Sequence, residues 1–103
     1  MIADLDSLDG VDEAQIRRER AKARDLRKSR WWQQKLSQGR CYYCGQKTAP
    51  SGLTMDHIVP LARGGKSVKH NLVTTCKACN NKKKSMLPLE WQEYMEHLDR
   101  NKV

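Results

Sequence analysis

Two Cys-x-x-Cys pairs, Cys41 with Cys44 and Cys76 with Cys79, restrict what this chain can fold into more than any other feature. Four thiolates gathered at one point can clamp a single zinc ion, which crosslinks two segments far apart in sequence. A chain of 103 residues with no Phe, 38% hydrophobic residues and 31% charged ones has a small core, so the metal is expected to be part of the fold itself. Four protein ligands leave no open position, which makes such a zinc structural rather than catalytic. Arg40, Lys47, Lys77 and Lys82 lie close in sequence and can soften its negative charge. The competing readings are a thioredoxin-like redox pair, which explains one Cys-x-x-Cys but not two, and unrelated buried thiols.

A formal net charge of +8 implies a polyanionic partner, because each Lys or Arg that neutralises a phosphate releases condensed counterions. Nucleic acid is the first candidate. A membrane partner is not expected, since the chain has no run of about 18 apolar residues. Met1 to Gly10 holds Asp4, Asp6 and Asp9 and lacks the apolar stretch of a signal peptide, so residues 1–11 read as an acidic flexible tail and the protein as cytoplasmic. Thiols stay reduced in that compartment, which again favours zinc ligands over disulfides.

From about Asp12 to Gln38 there is no Pro or Gly, and Ala, Leu, Arg, Lys, Gln and Glu favour one helix over residues 12–39, with Gly39 as its stop. Its first part is ringed by Arg17, Arg18, Arg20, Lys22, Arg24, Arg27 and Lys28 and is expected to stay in solvent. Trp32 and Leu36, spaced i, i+4, are expected to dock its C-terminal end on the rest of the domain. The excess of base over acid favours an arm laid along a phosphate backbone, with Arg17, Arg18, Arg20 and Arg24 as contacts, over a merely solvated helix; a basic amphipathic helix that binds a partner stays open.

Cys41-Tyr42-Tyr43-Cys44-Gly45 has the form of a zinc knuckle. Leu53, Thr54 and Met55 and then Ile58 and Val59 have strand character ended by Pro60, Arg63-Gly64-Gly65-Lys66 reads as a loop carrying two bases, and a second strand is expected over residues 71–75. A helix over about 77–86 follows, and Pro88 separates it from a last helix whose Trp91, Met95 and Leu98 recur at helical spacing. The fold class is α+β, with a core over residues 40–87 and a C-terminal helix over 88–103 packed on it.

Between the cysteine pairs, Asp56 offers a hard oxygen ligand suited to magnesium or manganese, and His57 a proton acceptor. Adjacent side chains on a regular strand leave opposite faces, so the strand is expected to bend or end here if both serve one site. Asn80 follows the last cysteine, and Lys83 and Lys84 stand three and four residues on, where they would meet a phosphate; a solvated helix face is the alternative. His70 and His97 read as surface residues. Tyr42, Tyr43, Trp31 and Trp32 are expected to pack in the core before they stack on bases.

The order Cys41-x-x-Cys44, Asp56-His57-Ile58-Val59-Pro60-Leu61, Gly64-Gly65, Asn71-Leu72, Cys76-x-x-Cys79-Asn80 and Lys83 resembles the zinc-containing branch of the HNH endonuclease family over residues 41–84. The resemblance implies a ββα-metal fold, two antiparallel strands and a helix around one divalent ion. It implies His57 as the general base, Asp56 and Asn80 as ligands of a catalytic Mg2+ or Mn2+, and Asn71 as the residue that holds the loop and orients the histidine through backbone hydrogen bonds. Asn80 fills a position that is His in the family name, which leaves one imidazole and makes a soft metal less suited there. Cleavage of double-stranded DNA by a monomer or weak dimer, by nicking, with 5′-phosphate and 3′-hydroxyl ends, in a bacterial or phage-type setting, is what the resemblance implies. Arg63, Lys66, Lys83 and Lys84 join the arm as expected DNA contacts. The rival from another class is a zinc-stabilised nucleic-acid-binding module that cuts nothing. Asp56-His57 with Asn80 argues against it, because a carboxylate facing phosphate repels it unless a cation lies between.

Overall fold

The polar stretch expected as one helix folds as two. The computed structural model describes residues 10–100, so the acidic tail, apart from Gly10 and Val11, lies outside the described residues. Helix α1 spans Glu13–Arg27 and is capped by Asp12, whose carboxylate accepts from the Gln15 amide at 2.8 Å. Helix α2 spans Arg30–Ser37. The break falls at Ser29, which donates both its amide (3.0 Å) and its hydroxyl (2.6 Å) to the Leu26 carbonyl and accepts from the Trp32 amide at 3.2 Å. One serine thus closes the first helix and caps the second, a local competition that helix propensity summed over the stretch does not register.

The break lets both helices reach the core. Trp32 on α2 is buried as expected, but α1 also buries Glu19 and Ala23, so the expectation of an arm held only at its C-terminal end is corrected.

Strands β1, Leu53–His57, and β2, Leu72–Cys76, form an antiparallel pair with Leu53 opposite Cys76 and His57 opposite Leu72. All five residues of β2 are buried, which requires cover on both faces of the pair. The Thr54 and Asp56 face is covered by helix α3, Lys77–Lys83, through Asn80 and Lys83. The Met55 and His57 side is met by α1, whose Arg27 guanidinium lies 3.8 Å from the Met55 sulfur. The knuckle is tied to β2 by the Tyr42 amide donating to the Thr74 carbonyl at 2.8 Å and the Thr74 hydroxyl donating to the Arg40 carbonyl at 2.8 Å.

Helix α4, Pro88–Arg100, begins with Pro88 rather than after it, a place where a missing amide costs nothing. Glu90 accepts from the Leu87 amide at 2.8 Å and stabilises that first turn. Trp91 is buried among Cys41, Cys76 and Cys79, with Tyr43, Met86, Tyr94 and Met95 packed around them. The expected α3 ends earlier than residue 86, because Lys84 turns to φ 48°. Among the described residues no helix is long and apolar enough to cross a membrane.

The loop over residues 58–71 is folded tightly back on itself. Gly65 donates its amide to the Pro60 carbonyl at 2.8 Å, and a Cβ there would lie 1.7 Å from the Val59 carbonyl oxygen. Gly65→Ala is therefore expected to destabilise the protein by about 2 kcal/mol or more, because backbone must move to admit the methyl group. Gly45→Ala, at φ +73° with open space around it, should cost only about 1 kcal/mol of left-handed strain. Denaturant titration of the two variants checks the order, and equal costs would count against this loop geometry.

Candidate active site

Cys41 and Cys44 come from the knuckle, Cys76 ends β2, and Cys79 lies in the first turn of α3. Their four sulfurs lie within 4.8 Å of one another, and Cys44 Sγ is 3.9 Å from Cys76 Sγ. Thiolates around a tetrahedral zinc, at bonds of about 2.3 Å, stand roughly 3.8 Å apart, so the four cysteines form a site that can hold such an ion. The Cys79 amide donates to Cys76 Sγ at 3.5 Å. Burial pushes the Cys79 thiol up and the neighbouring sulfurs add to that. Burial acts the same way on Cys41, but backbone N–H groups of Cys44, Cys76 and Tyr43 outweigh it and bring the thiol down to about 7. Four thiolates this close need a cation among them.

β1 ends at His57, one of the two outcomes expected there, but it does not bend between Asp56 and His57, so the two side chains leave opposite faces. On the α3 face, buried Asp56 takes two partners on one oxygen. Tyr43 donates its hydroxyl to Asp56 Oδ2 at 2.6 Å, and Lys83 Nζ is 3.2 Å from the same atom. Burial first, and Asp56 next, push the Tyr43 phenol far up, which keeps it a donor. Asn80 Nδ2 donates to the Thr54 hydroxyl at 2.7 Å. Asp56 Oδ1 and Asn80 Oδ1 take part in neither set of contacts. They are two hard oxygens on one face, the donor type that a magnesium or manganese ion takes.

Lys83 was expected to meet phosphate from the helix surface; the structure instead buries its side chain completely. Its ammonium donates to the His57 carbonyl at 3.1 Å and lies 5.6 Å from the centre of the Tyr43 ring. A buried ammonium requires such partners, and Asp56, a backbone oxygen and an aromatic face supply them.

On the other face, His57 Nε2 lies 2.9 Å from Ser67 Oγ. Burial moves the imidazole below its usual range; Arg27 and Lys83 act with it, Asp56 and Glu19 against it. Asn71 holds the loop around His57. Its Oδ1 accepts from the Val59 amide at 2.9 Å, and its Nδ2 donates to the Val59 (3.1 Å) and Lys66 (2.9 Å) carbonyls. Its backbone carbonyl accepts from the Ile58 amide at 2.9 Å, which closes the strand pair beyond His57.

Arg17, Arg18, Arg20, Arg24, Lys66 and Lys84 are exposed. Arg63 is engaged elsewhere: its guanidinium forks onto Glu90 at 3.0 and 3.3 Å and ties the loop to α4. His70 and His97 are exposed as expected. Tyr43 packs in the core, whereas Tyr42, expected there too, is 59% exposed because the knuckle turns it outward. Trp31 is half-buried under the ammonium groups of Lys35 and Lys69. Sequence reasoning missed Tyr43, Ser67 and Glu19. Only the acid isolated among the bases of α1 carried a signal in the chain.

A model of the HNH endonuclease family matches residues 41–95. No curated protein matches the chain.

Lys83→Met retains most of the side-chain volume and removes the cation beside Asp56. In magnesium-free buffer it is expected to lower the unfolding free energy by roughly 3–5 kcal/mol, the usual consequence of leaving a buried charge unpaired. Denaturant titration reads the change, and a loss under about 1 kcal/mol would show that the pair contributes no more than a surface one.

Proposed function

The chain belongs to the HNH endonuclease family, and we propose that it is a metal-dependent nuclease that hydrolyses phosphodiester bonds of double-stranded DNA. Family membership supports a nuclease-type function on a nucleic-acid substrate. The observation that carries the finer reading is the division of labour across β1: hard oxygens of Asp56 and Asn80 on one face, the His57 imidazole on the other. In-line displacement needs the attacking and leaving oxygens on opposite sides of phosphorus. A base and a cation site on opposite faces of one strand end suit that requirement.

In this reading His57 accepts the proton of the attacking water, and Asp56 with Asn80 hold a magnesium or manganese ion. When bound, the ion supplies positive charge for the phosphate and the leaving oxygen. Asn71 fixes the strand end from which His57 projects. The four cysteines hold a structural zinc, the metal their all-sulfur donor set favours. Arg17, Arg18, Arg20 and Arg24 on α1, with Lys66 and Lys84, lie along the DNA backbone, which gives strong salt dependence and little sequence preference. Acting as a monomer or weak dimer, the protein nicks one strand at a time. One observation favours the non-cutting rival: Lys83 already provides Asp56 with a cation, so the carboxylate is not left facing phosphate alone.

Supercoiled plasmid incubated with zinc-loaded protein decides between them. Conversion to open circles is expected only with added magnesium or manganese, and a loss of at least about 100-fold in His57→Ala that still holds its zinc. Binding without cutting under every metal would leave the zinc-stabilised binding module as the better account. A base must be neutral to accept a proton, so activity is lost as pH falls through the His57 pKa. Because burial lowers that pKa, kcat/KM should already be level at about pH 7. A profile that only begins to rise above neutrality would sink the assignment of His57.

A further inference from the structure

We propose that Ser67 and Glu19 are positioning residues that place the proton of the neutral His57 ring on Nε2 and leave Nδ1 as the nitrogen that receives a proton from water. This rests on the nuclease reading of His57. The contact between His57 Nε2 and Ser67 Oγ, at 2.9 Å, could by itself run in either direction. Ser67 settles it. Its Oγ lies 2.6 Å from the backbone carbonyl oxygen of Glu19, an atom that can only accept. A hydroxyl has one proton, and that proton is committed to the carbonyl, so Ser67 presents a lone pair to the ring. His57 must therefore donate from Nε2. A neutral imidazole carries a single N–H, so Nδ1 is the free base.

Ser67 is itself held rigidly. Its amide donates to Glu19 Oε1 at 2.6 Å, while the Lys22 ammonium takes Glu19 Oε2 at 3.2 Å. Glu19 thus grips Ser67 twice, through its carboxylate and through its backbone carbonyl. Ser67 is 4% exposed and Glu19 5%, which keeps water from competing for either bond. The helix that carries Arg17, Arg18, Arg20 and Arg24 outward turns Glu19 inward, across a sequence separation of 48 residues, to the group that orients the base. A buried acid among surface bases is otherwise hard to account for, since a surface helix gains nothing from hiding it.

The test reads the ring directly. In zinc-loaded protein without DNA, 15N-resolved NMR at a pH where His57 is neutral should show an exchange-protected proton on Nε2. Ser67→Ala should lose that proton signal while the remaining amide spectrum and the zinc content stay as in wild type, and Ser67→Thr, which keeps a hydroxyl, should restore it. In plasmid cutting, Ser67→Ala is expected to lower kcat about 10–100-fold with KM nearly unchanged, as for a misoriented group rather than a lost binding contact. A proton found on Nδ1 in wild type, or a protected Nε2 proton that survives in Ser67→Ala, overturns the proposal. A wild type that binds DNA but cuts it under none of the metals overturns the nuclease reading instead, and the spectrum still decides where Ser67 places the proton.

Discussion

Cys76 is at once the last residue of β2, the cap of α3 and one corner of the sulfur cluster, so whatever fixes the cluster also fixes the rotation of α3 about its axis. That rotation puts Asn80 over Thr54 and Lys83 over Asp56. In a core with few large apolar side chains, the cluster and the aromatic rings of Tyr43 and Trp91 do the work that a larger hydrophobic interior does elsewhere. The cysteines are remote from the proposed chemistry in role but not in structure, because Thr54 and Asp56 on that side of β1 take their partners from α3 or from the knuckle.

The electrostatics of the two faces differ in kind. On one, a carboxylate, an ammonium and a phenol share a single oxygen and leave hard acceptors beside it. On the other, an imidazole whose pKa burial pushes down lies against a hydroxyl. A two-stranded sheet is the smallest platform that can separate such environments, since neighbouring residues diverge by geometry alone. Asn71 and the turn at Gly65 tie the loop back onto Val59 and Pro60, just beyond the strand end.

Much of this could be read in the chain. The cysteine spacing, the strand character from Leu53 to Met55 and the α+β class follow from residue types whose chemistry is local and demanding, whereas the place of Asn71 came from the family resemblance. The break at Ser29 did not, because one serine decides between two local hydrogen-bond patterns that propensities average away. Lys83 was misplaced because helical spacing shows which residues share a side but not whether that side faces water or a buried carboxylate. Arg63 looked like a free base until the fold brought Glu90 to it. Ser67 was invisible for the same reason, and Glu19 showed only as one acid among bases: their meaning lies in a contact between distant segments.

Glu19 lies outside the stretch that matches the family, residues 41–95. The boundaries of the inherited module and those of the working unit therefore differ. A fragment excised at the family limits would keep its cysteines, Asp56 and Asn80, and would lose the acid that braces Ser67. Under the role proposed for Glu19, grafting the module onto another protein calls for an upstream helix with one inward acid.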